Sequence, residues 1–365
     1  MSLKSTVQNL MAVPWIRAVH QRTAYGFLRL ASCSRLLSAF VSSFLTGAFL
    51  REQHAVMKGR ARYYRKTISG TEVNWTLIRR NTHRLEKGLV LRPRKSVFAL
   101  NYIGETVDEF LKISTADAGS TARWCRDVLR EYFANIEPTE LTARLERRFT
   151  EHVERMFFQQ QVADGGERQS ADEVFAPYLR DRRTDISFES FLELAVIRRS
   201  VRYFEDKPVK RELLDRAFSA ASQAPSACNR QPFRYLVFDT PEEAAEIASI
   251  PFGTLGYGDR VPCVLVVVGS LDQYPSPRDR HVIYIDGALS SMSLMYALET
   301  LELSSCPINW PDFGPLEAKM ARRLKLEPYE RPIMLIAVGH PDRTVPIAYS
   351  RKKPIDELRE YRSKA

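Results

Sequence analysis

The sequence predicts an α+β fold, a sheet sandwiched between helices in the C-terminal half, preceded by a largely helical N-terminal extension. Three observations predict it. Residues 261–269 and 331–339 are nearly continuous apolar runs rich in valine and isoleucine, as strands covered on both faces are. The segments from residue 233 onward read β, α, β, α, α, β, with one long helix at 284–303. Residues from about 61 to 190 keep helical apolar spacing and give no strand signal. Three regions follow: a basic, partly apolar leader at 1–60, a helical extension at 61–186, and a sheet-containing domain at 187–365.

The leader comes first. Its cations are Lys4, Arg17, Arg22, Arg29, Arg35, Arg51, Lys58 and Arg60, against the single acid Glu52. Within it, 36–50 is free of charge, but it contains Ser38, Ser42, Ser43 and Thr46 and falls short of the roughly 20 apolar residues of a spanning helix. Three readings stay open: a helix packed on the protein, a basic helix on an anionic membrane surface, or a cleaved organellar presequence.

In the extension, 76–89 puts Leu77, Ile78, Leu85 and Leu89 on one helical stripe, with Gly88 suited to a helix end. His83 in this stretch is expected to be a packing or surface histidine. Helices are also expected over 98–113, 122–136 and 141–161, the last as a solvated helix carrying Arg144, Glu146, Arg147, Arg148, Glu151, Glu154 and Arg155. The polar stretch 163–172, with Gly165-Gly166, reads as a loop.

In the C-terminal region, 188–196 reads as a short helix leading into an Arg-rich turn. Residues 211–223 read as a helix with Leu213, Leu214, Ala217, Phe218 and Ala221 inward. A strand at 233–239 is followed by a helix at 241–249, with Thr240 as cap and Pro241 at its first position. A helix at 316–324 precedes the last strand, and 341–365 is a polar, basic tail.

Bulk composition narrows the function classes. The 365 residues are 44% hydrophobic and 27% charged, ordinary for a globular protein. A net charge of +10 fits nucleic acid, an anionic membrane or a phosphate-bearing ligand. The basic residues are dispersed, with no dense lysine tail, so nucleic acid is set aside. Cys33, Cys125, Cys228, Cys263 and Cys306 form no C-x-x-C pair, which argues against a disulfide framework or a zinc site and for a reducing, cytoplasmic compartment. Membrane association through residues 1–60 is the alternative localisation.

Two segments concentrate chemistry. In Arg198-Arg199-Ser200-Val201-Arg202, the side chains of Arg198, Ser200 and Arg202 share one side of an extended chain. A phosphate monoester carries nearly two negative charges, and each charge-assisted hydrogen bond to it contributes about 1.5–3 kcal/mol. A few convergent cations therefore suffice, and no Gly-rich phosphate loop occurs in the chain. Arg351, Lys352 and Lys353 form a second cluster. The other segment, 224–232, is a proline-framed loop in which Ser226, Asn229 and Gln231 offer the donors and acceptors that a flat heteroaromatic edge needs. Together the two suggest a flavin mononucleotide site. The competing readings are two solvated basic patches and a turn that hydrogen-bonds its own backbone.

Six motifs in order, Arg198–Phe204, Ala224–Phe233, Asp286-Gly287-Ala288, Pro307-Ile308-Asn309-Trp310, Ala337–Pro341 and Arg351–Pro354, resemble the FMN-dependent nitroreductase family over about 191–361. The resemblance implies a central, mostly antiparallel sheet wrapped by helices, an obligate homodimer, and two FMN sites at its interface. Arg198, Arg199, Ser200 and Arg202, with Arg351 or Lys352, would hold the phosphate and ribityl chain. Pro225, Ser226 and Ala227 of the second subunit would cover the ring, with Asn229 nearby. Backbone N–H groups around Asn309 and Trp310 would face the ring edge that gains charge on reduction, and Pro307 and Ile308 would also touch the cofactor. The implied reaction is ping-pong hydride transfer from NADH or NADPH to a small electron-poor acceptor, with no obligatory side-chain acid or base.

The chain departs from the family pattern in two places. Asn309-Trp310 stands where many relatives have an acid and a glycine. The segment 252–259 lacks the Asn/Lys pair that often reaches the flavin. The alternatives are a flavoenzyme dedicated to one tailoring reaction of a biosynthetic pathway, and a catalytically silent dimerisation module whose slot Trp310 fills.

Overall fold

A computed structural model describes residues 13–70, 72–117, 119–163 and 174–362, with only backbone for 69 and 157–163. The expected loop at 163–172 lies almost entirely outside the described residues. The chain divides into two units, one ending at Met57 and the other Lys58–Ala365.

In the first unit, α1 (Pro14–Ala31) bends by 120° into α2 (Arg35–Phe40), which runs into a π-helical turn at Val41–Leu45. The apolar stretch expected at 36–50 is therefore broken rather than one helix. Ser34 caps α2 by accepting from the Leu37 N–H at 3.1 Å. No single helix among the described residues is long and apolar enough to cross a membrane.

α3 (Leu50–Ser69) starts in the first unit and continues into the second. Next come α4 (Trp75–Val90), α5 (Ile103–Phe110), α6 (Ser120–Ala134) and α7 (Glu140–Ala163). Their apolar stripes converge on one cluster, in which Ile78, Leu85 and Leu89 meet Val107, Phe110, Val128, Tyr132, Leu145 and Phe149. The charged helix expected at 141–161 is present, and Leu145, Phe149 and Val153 anchor it while Arg144, Glu146 and Arg147 stay exposed. Gly88 lies inside α4 rather than at its end. A Cβ there would sit 2.1 Å from the Phe98 ring, so the glycine serves close packing. The helix expected at 98–113 begins only at Ile103, because Phe98 to Tyr102 form a turn whose carbonyl at Phe98 accepts from the buried Tyr132 hydroxyl at 2.8 Å. His83 is half-buried beside Glu86, and burial lowers its pKa.

The C-terminal half contains α8 (Phe188–Ile197), α9 (Arg211–Ala221), β1 (Phe233–Phe238), α10 (Pro241–Ala248), β2 (Cys263–Ser270), α11 (Val282–Thr300), β3 (Ser304–Asn309), α12 (Gly314–Leu324), β4 (Glu330–Gly339) and α13 (Ile355–Leu358). The strands form one antiparallel sheet in the order β1-β2-β4-β3. The period of two along β2 divides its side chains between two cores. Val264, Val266 and Val268 pack with α10, Trp310 and Met320 on one face. Cys263, Leu265 and Val267 pack with Leu214, Ala217, Leu294 and Leu298 of α9 and α11 on the other. The valine-rich run is thus buried on both sides, as its composition predicts.

Two expectations change. β3 is a strand that the β, α, β, α, α, β order read from the sequence does not contain. Its Pro307 lacks an N–H, which an edge strand tolerates on its open side. Thr240 does sit at the start of α10, but its hydroxyl bonds the Glu243 carboxylate at 3.0 Å instead of capping the backbone.

The extension is fastened to the sheet domain by specific contacts. Lys66 pairs with the buried Asp272 at 2.6 Å, and Arg60 Nε donates to the Pro275 carbonyl at 3.0 Å. Thr76 and Gln273 hydrogen-bond through their side chains at 2.5 Å. Gly59 faces the Leu271 backbone so closely that any Cβ would collide with it.

Candidate functional site

The Arg-rich segment runs in extended form along the open edge of β3. Ser200 forms a parallel bridge with Ser305, and the Val201 N–H donates to the Ser305 carbonyl at 3.1 Å. Farther on, the Glu205 N–H donates to the His340 carbonyl at 2.8 Å. This pinning sets the alternation of Arg198, Ser200 and Arg202.

Each of these side chains has a distinct setting. Arg198 closes α8 and is half-buried, and its Nε is shielded from solvent without a hydrogen-bond partner. Arg199 donates to the Arg198 carbonyl at 3.1 Å. Arg202 is exposed and donates to the Ser200 carbonyl at 3.4 Å. The Tyr257 phenol is buried and pushed up to about 12, with Cys306 and Arg202 beside it. Burial also pushes the Cys306 thiol up, against the pull of Arg202. That thiol is therefore a neutral packing group at ordinary pH.

Two polar groups next to this segment were not singled out in the sequence. Glu299, near the end of α11, has its pKa raised to about 7 by burial, against the weaker influence of the Ser304 hydroxyl and Arg198. Its Oε1, like the Ser305 Oγ, is buried without a partner. Neither belongs to a recognisable motif, and only the fold brings them to Arg198.

The second segment forms a tight turn after α9. Ala227–Asn229 make one 3₁₀ turn, and Cys228, Asn229 and Gln231 have φ of 54°, 51° and 51°. Left-handed backbone at the non-glycine Cys228 and Gln231 is strained and persists only where the surroundings hold it. Here the Ala227 N–H donates to Asp286 of α11 at 2.9 Å, and the Gln231 N–H donates to the Ser226 hydroxyl at 3.1 Å. Gln231 also donates to the Asn229 side chain at 3.1 Å. The reading of a turn that bonds its own backbone is thus part of the structure. Pro225 is exposed, while Ser226, Ala227 and Asn229 are half-buried. Arg230 is only 8% exposed, lies 4.9 Å from the Tyr274 ring centre, and has a buried, unpartnered Nε. Helix α4 of the extension packs against this turn.

Pro307, Ile308 and Asn309 complete β3, paired with Ile336, Leu335 and Met334. Asn309 is exposed. Trp310 is buried in the core face, and its indole N–H donates to Glu317 of α12 at 2.5 Å. Arg351 and Lys352 are exposed in the tail and make no hydrogen bond or ion pair among the described residues.

Within one chain, the structure brings 198–202 to β3 and Glu299, and brings 225–231 to Asp286. These two places lie at opposite ends of α11. At 1.5 Å per residue, Asp286 and Glu299 are about 20 Å apart along the helix.

Comparison with known proteins bears on this half of the chain. The family model described as the nitroreductase family matches residues 195–261 and 249–340, and none matches the N-terminal half. A protein of Methanothermobacter thermautotrophicus, provisionally named an NADH dehydrogenase/NAD(P)H nitroreductase, is 27% identical over 161 residues, covering 43% of this chain and 80% of that protein. The FMN reductase [NAD(P)H] of Bacillus subtilis is 27% identical over 172 residues, covering 43% of this chain and 66% of that one. Iodotyrosine deiodinase 1 of Homo sapiens is 22% identical over 198 residues, covering 47% and 68%.

Proposed function

Because residues 195–340 form a nitroreductase-family domain, we propose that the protein is an FMN-dependent oxidoreductase that works as a homodimer. In this reading it passes hydride from NADH or NADPH to a small, electron-poor organic acceptor. The names of two relatives, an NADH dehydrogenase/NAD(P)H nitroreductase and an FMN reductase, support the reaction class.

The residues fit the cofactor. The buried, unpartnered Nε of Arg198 and the free Ser305 hydroxyl are donors without acceptors, which a phosphate or ribityl oxygen would satisfy. Arg198, Arg199, Ser200 and Arg202 would hold the phosphate end. Backbone N–H groups near Asn309 and Trp310 would face the ring. Bound there, the flavin supplies two-electron chemistry in a ping-pong sequence.

One observation carries the dimer. Pro225, Ser226, Ala227 and Asn229 lie at the wrong end of α11 to meet their own Arg198. A second copy related by a two-fold axis, with α11 helices packed antiparallel, would bring its loop to this chain's phosphate segment. The uncovered apolar surface agrees. Ile285 and Leu289 on α11 are 57% and 44% exposed, and α8 buries none of its residues although it carries Phe188, Phe191, Leu192, Val196 and Ile197. The exposed tail, with Arg351 and Lys352, would reach the second copy.

Trp310 packs in the core with Met320 and Leu335, which speaks against a silent module. A dedicated tailoring reaction on one substrate is the second reading. It is favoured by the packing of α4 on the 227–229 turn, which puts the extension against the predicted ring-covering loop.

The visible spectrum of the purified protein tests the first reading. A flavin band that bleaches rapidly with NADH or NADPH is expected. A colourless protein that refuses added FMN would sink it, and a flavin reduced sluggishly by both nicotinamides would favour the second.

A further inference from the structure

The first unit of the chain carries an apolar face that its own residues leave uncovered. On α1, Trp15, Val19, Phe27 and Leu30 fall on one side of the helix at 100° per residue. Trp15 and Leu30 are 69% and 65% exposed. Only Ala31 of α1 is buried. The following leg continues the pattern with exposed Leu36, Phe40, Phe44 and Leu45, the rings of Phe40 and Phe44 lying 5.4 Å apart. The two legs meet at a bend of 120°, tied by the Ser38 hydroxyl donating to the Ala31 carbonyl at 2.8 Å.

Charge identifies what covers this face. No acidic residue occurs before Glu52, and Arg22, Arg29 and Arg35 are all exposed. At 100° per residue Arg22 and Arg29 both border the Trp15 edge of the apolar side of α1, where long stems can lie along hydrocarbon with their guanidinium groups at headgroup level. A protein partner of ordinary composition would not require this one-sided charge, whereas an anionic lipid surface attracts it.

Length and charge position decide between lying on the bilayer and crossing it. α1 is about 27 Å long and the second leg about 15 Å, against a hydrocarbon core of about 30 Å. Arg17, Arg22 and Arg29 are spread along α1, so a spanning orientation would carry a guanidinium to the bilayer centre, while a helix in the plane keeps all three in the headgroups.

We propose that Pro14–Leu45 is an interfacial helical hairpin that docks the protein on an anionic membrane surface, with Trp15, Phe27, Leu30 and Phe44 in the acyl boundary and Arg22 and Arg29 on lipid phosphates. This proposal does not depend on the redox reading.

Flotation of the full-length protein with vesicles tests it. Vesicles of phosphatidylcholine containing about 30% phosphatidylglycerol should carry the protein upward roughly tenfold more effectively than pure phosphatidylcholine, and about 0.5 M salt should release most of it. The combined variant Trp15→Ser, Phe27→Ser, Leu30→Ser touches only surface side chains, so it should keep the wild-type melting temperature and lose flotation at least roughly tenfold. Arg22→Gln with Arg29→Gln should abolish the difference between the two vesicles. Failure of the wild-type protein to float with anionic vesicles would overturn the proposal. So would a triple-serine variant that floats like the wild type, or one whose sedimentation shows a smaller oligomer while neither protein binds vesicles, since the face would then seat a second copy.

Discussion

The backbone N–H of Ala227 donates to the carboxylate of Asp286, 59 residues away in sequence, at 2.9 Å. The bond ties a strained turn to the first turns of α11. Burial raises the Asp286 pKa, and the Ala227 N–H opposes that rise. Asp286→Asn keeps an acceptor oxygen and removes a buried charge, so its stability should stay within about 1 kcal/mol of wild type. Asp286→Ala leaves the N–H unpaired and should cost about 1–3 kcal/mol. Thermal unfolding of the two variants checks this, and equal losses in both would show that the charge, not the acceptor, matters.

Arg198→Ala combined with Arg202→Ala should weaken FMN binding at least about a hundredfold, because two charge-assisted hydrogen bonds contribute about 3 kcal/mol or more together. Flavin retention through gel filtration and fluorescence titration with FMN read the effect directly. Unchanged retention would show that the phosphate lies elsewhere.

Glu299 should make stability pH-dependent. Burial raises its pKa to about 7 in the folded chain, so the protonated form is favoured by folding. That contribution is fully present below the unfolded carboxyl range and is lost as pH rises through about 7. Glu299→Gln should therefore match wild type near pH 4–5 and exceed it at pH 8 by about 1–2 kcal/mol, allowing for solvent screening of a partly exposed group. Parallel stability–pH curves for the two proteins would contradict the assignment.

Gly59→Ala pits two effects against each other. Alanine gains about 1 kcal/mol of helix propensity over glycine, but its Cβ would lie 2.7 Å from the Leu271 carbonyl carbon and oxygen. Backbone cannot rotate aside as a side chain can, so overpacking of about 1–3 kcal/mol should win. Urea unfolding should show a net loss, and α3 should become more sensitive to limited proteolysis. A stabilised variant would mean that α3 can slide on the sheet domain at little cost.

Much of the fold was legible in the chain because it follows from local periodicity. The valine run of β2, the apolar stripe of α4 and the inward face of α9 each state their period within a dozen residues. β3 was not legible, since Ser304, Ser305 and Pro307 disguise a strand that only its position at the sheet edge permits. The apolar anchors Leu145, Phe149 and Val153 of α7 were hidden among its charges for a similar reason: three residues suffice when neighbouring helices supply the rest of the core.

The sequence by itself determined the kinds of group available for chemistry: guanidinium beside hydroxyl at 198–202, and amides framed by proline at 224–232. Only the tertiary structure decided which of them meet. It set Arg198 beside Glu299 and Ser305, turned Trp310 into the core, and placed the amide loop about 20 Å away at the far end of α11. The physical reason is that local spacing fixes which way a side chain points from its own strand or helix, whereas the packing of α11 across the sheet fixes how far apart two distant segments come to rest.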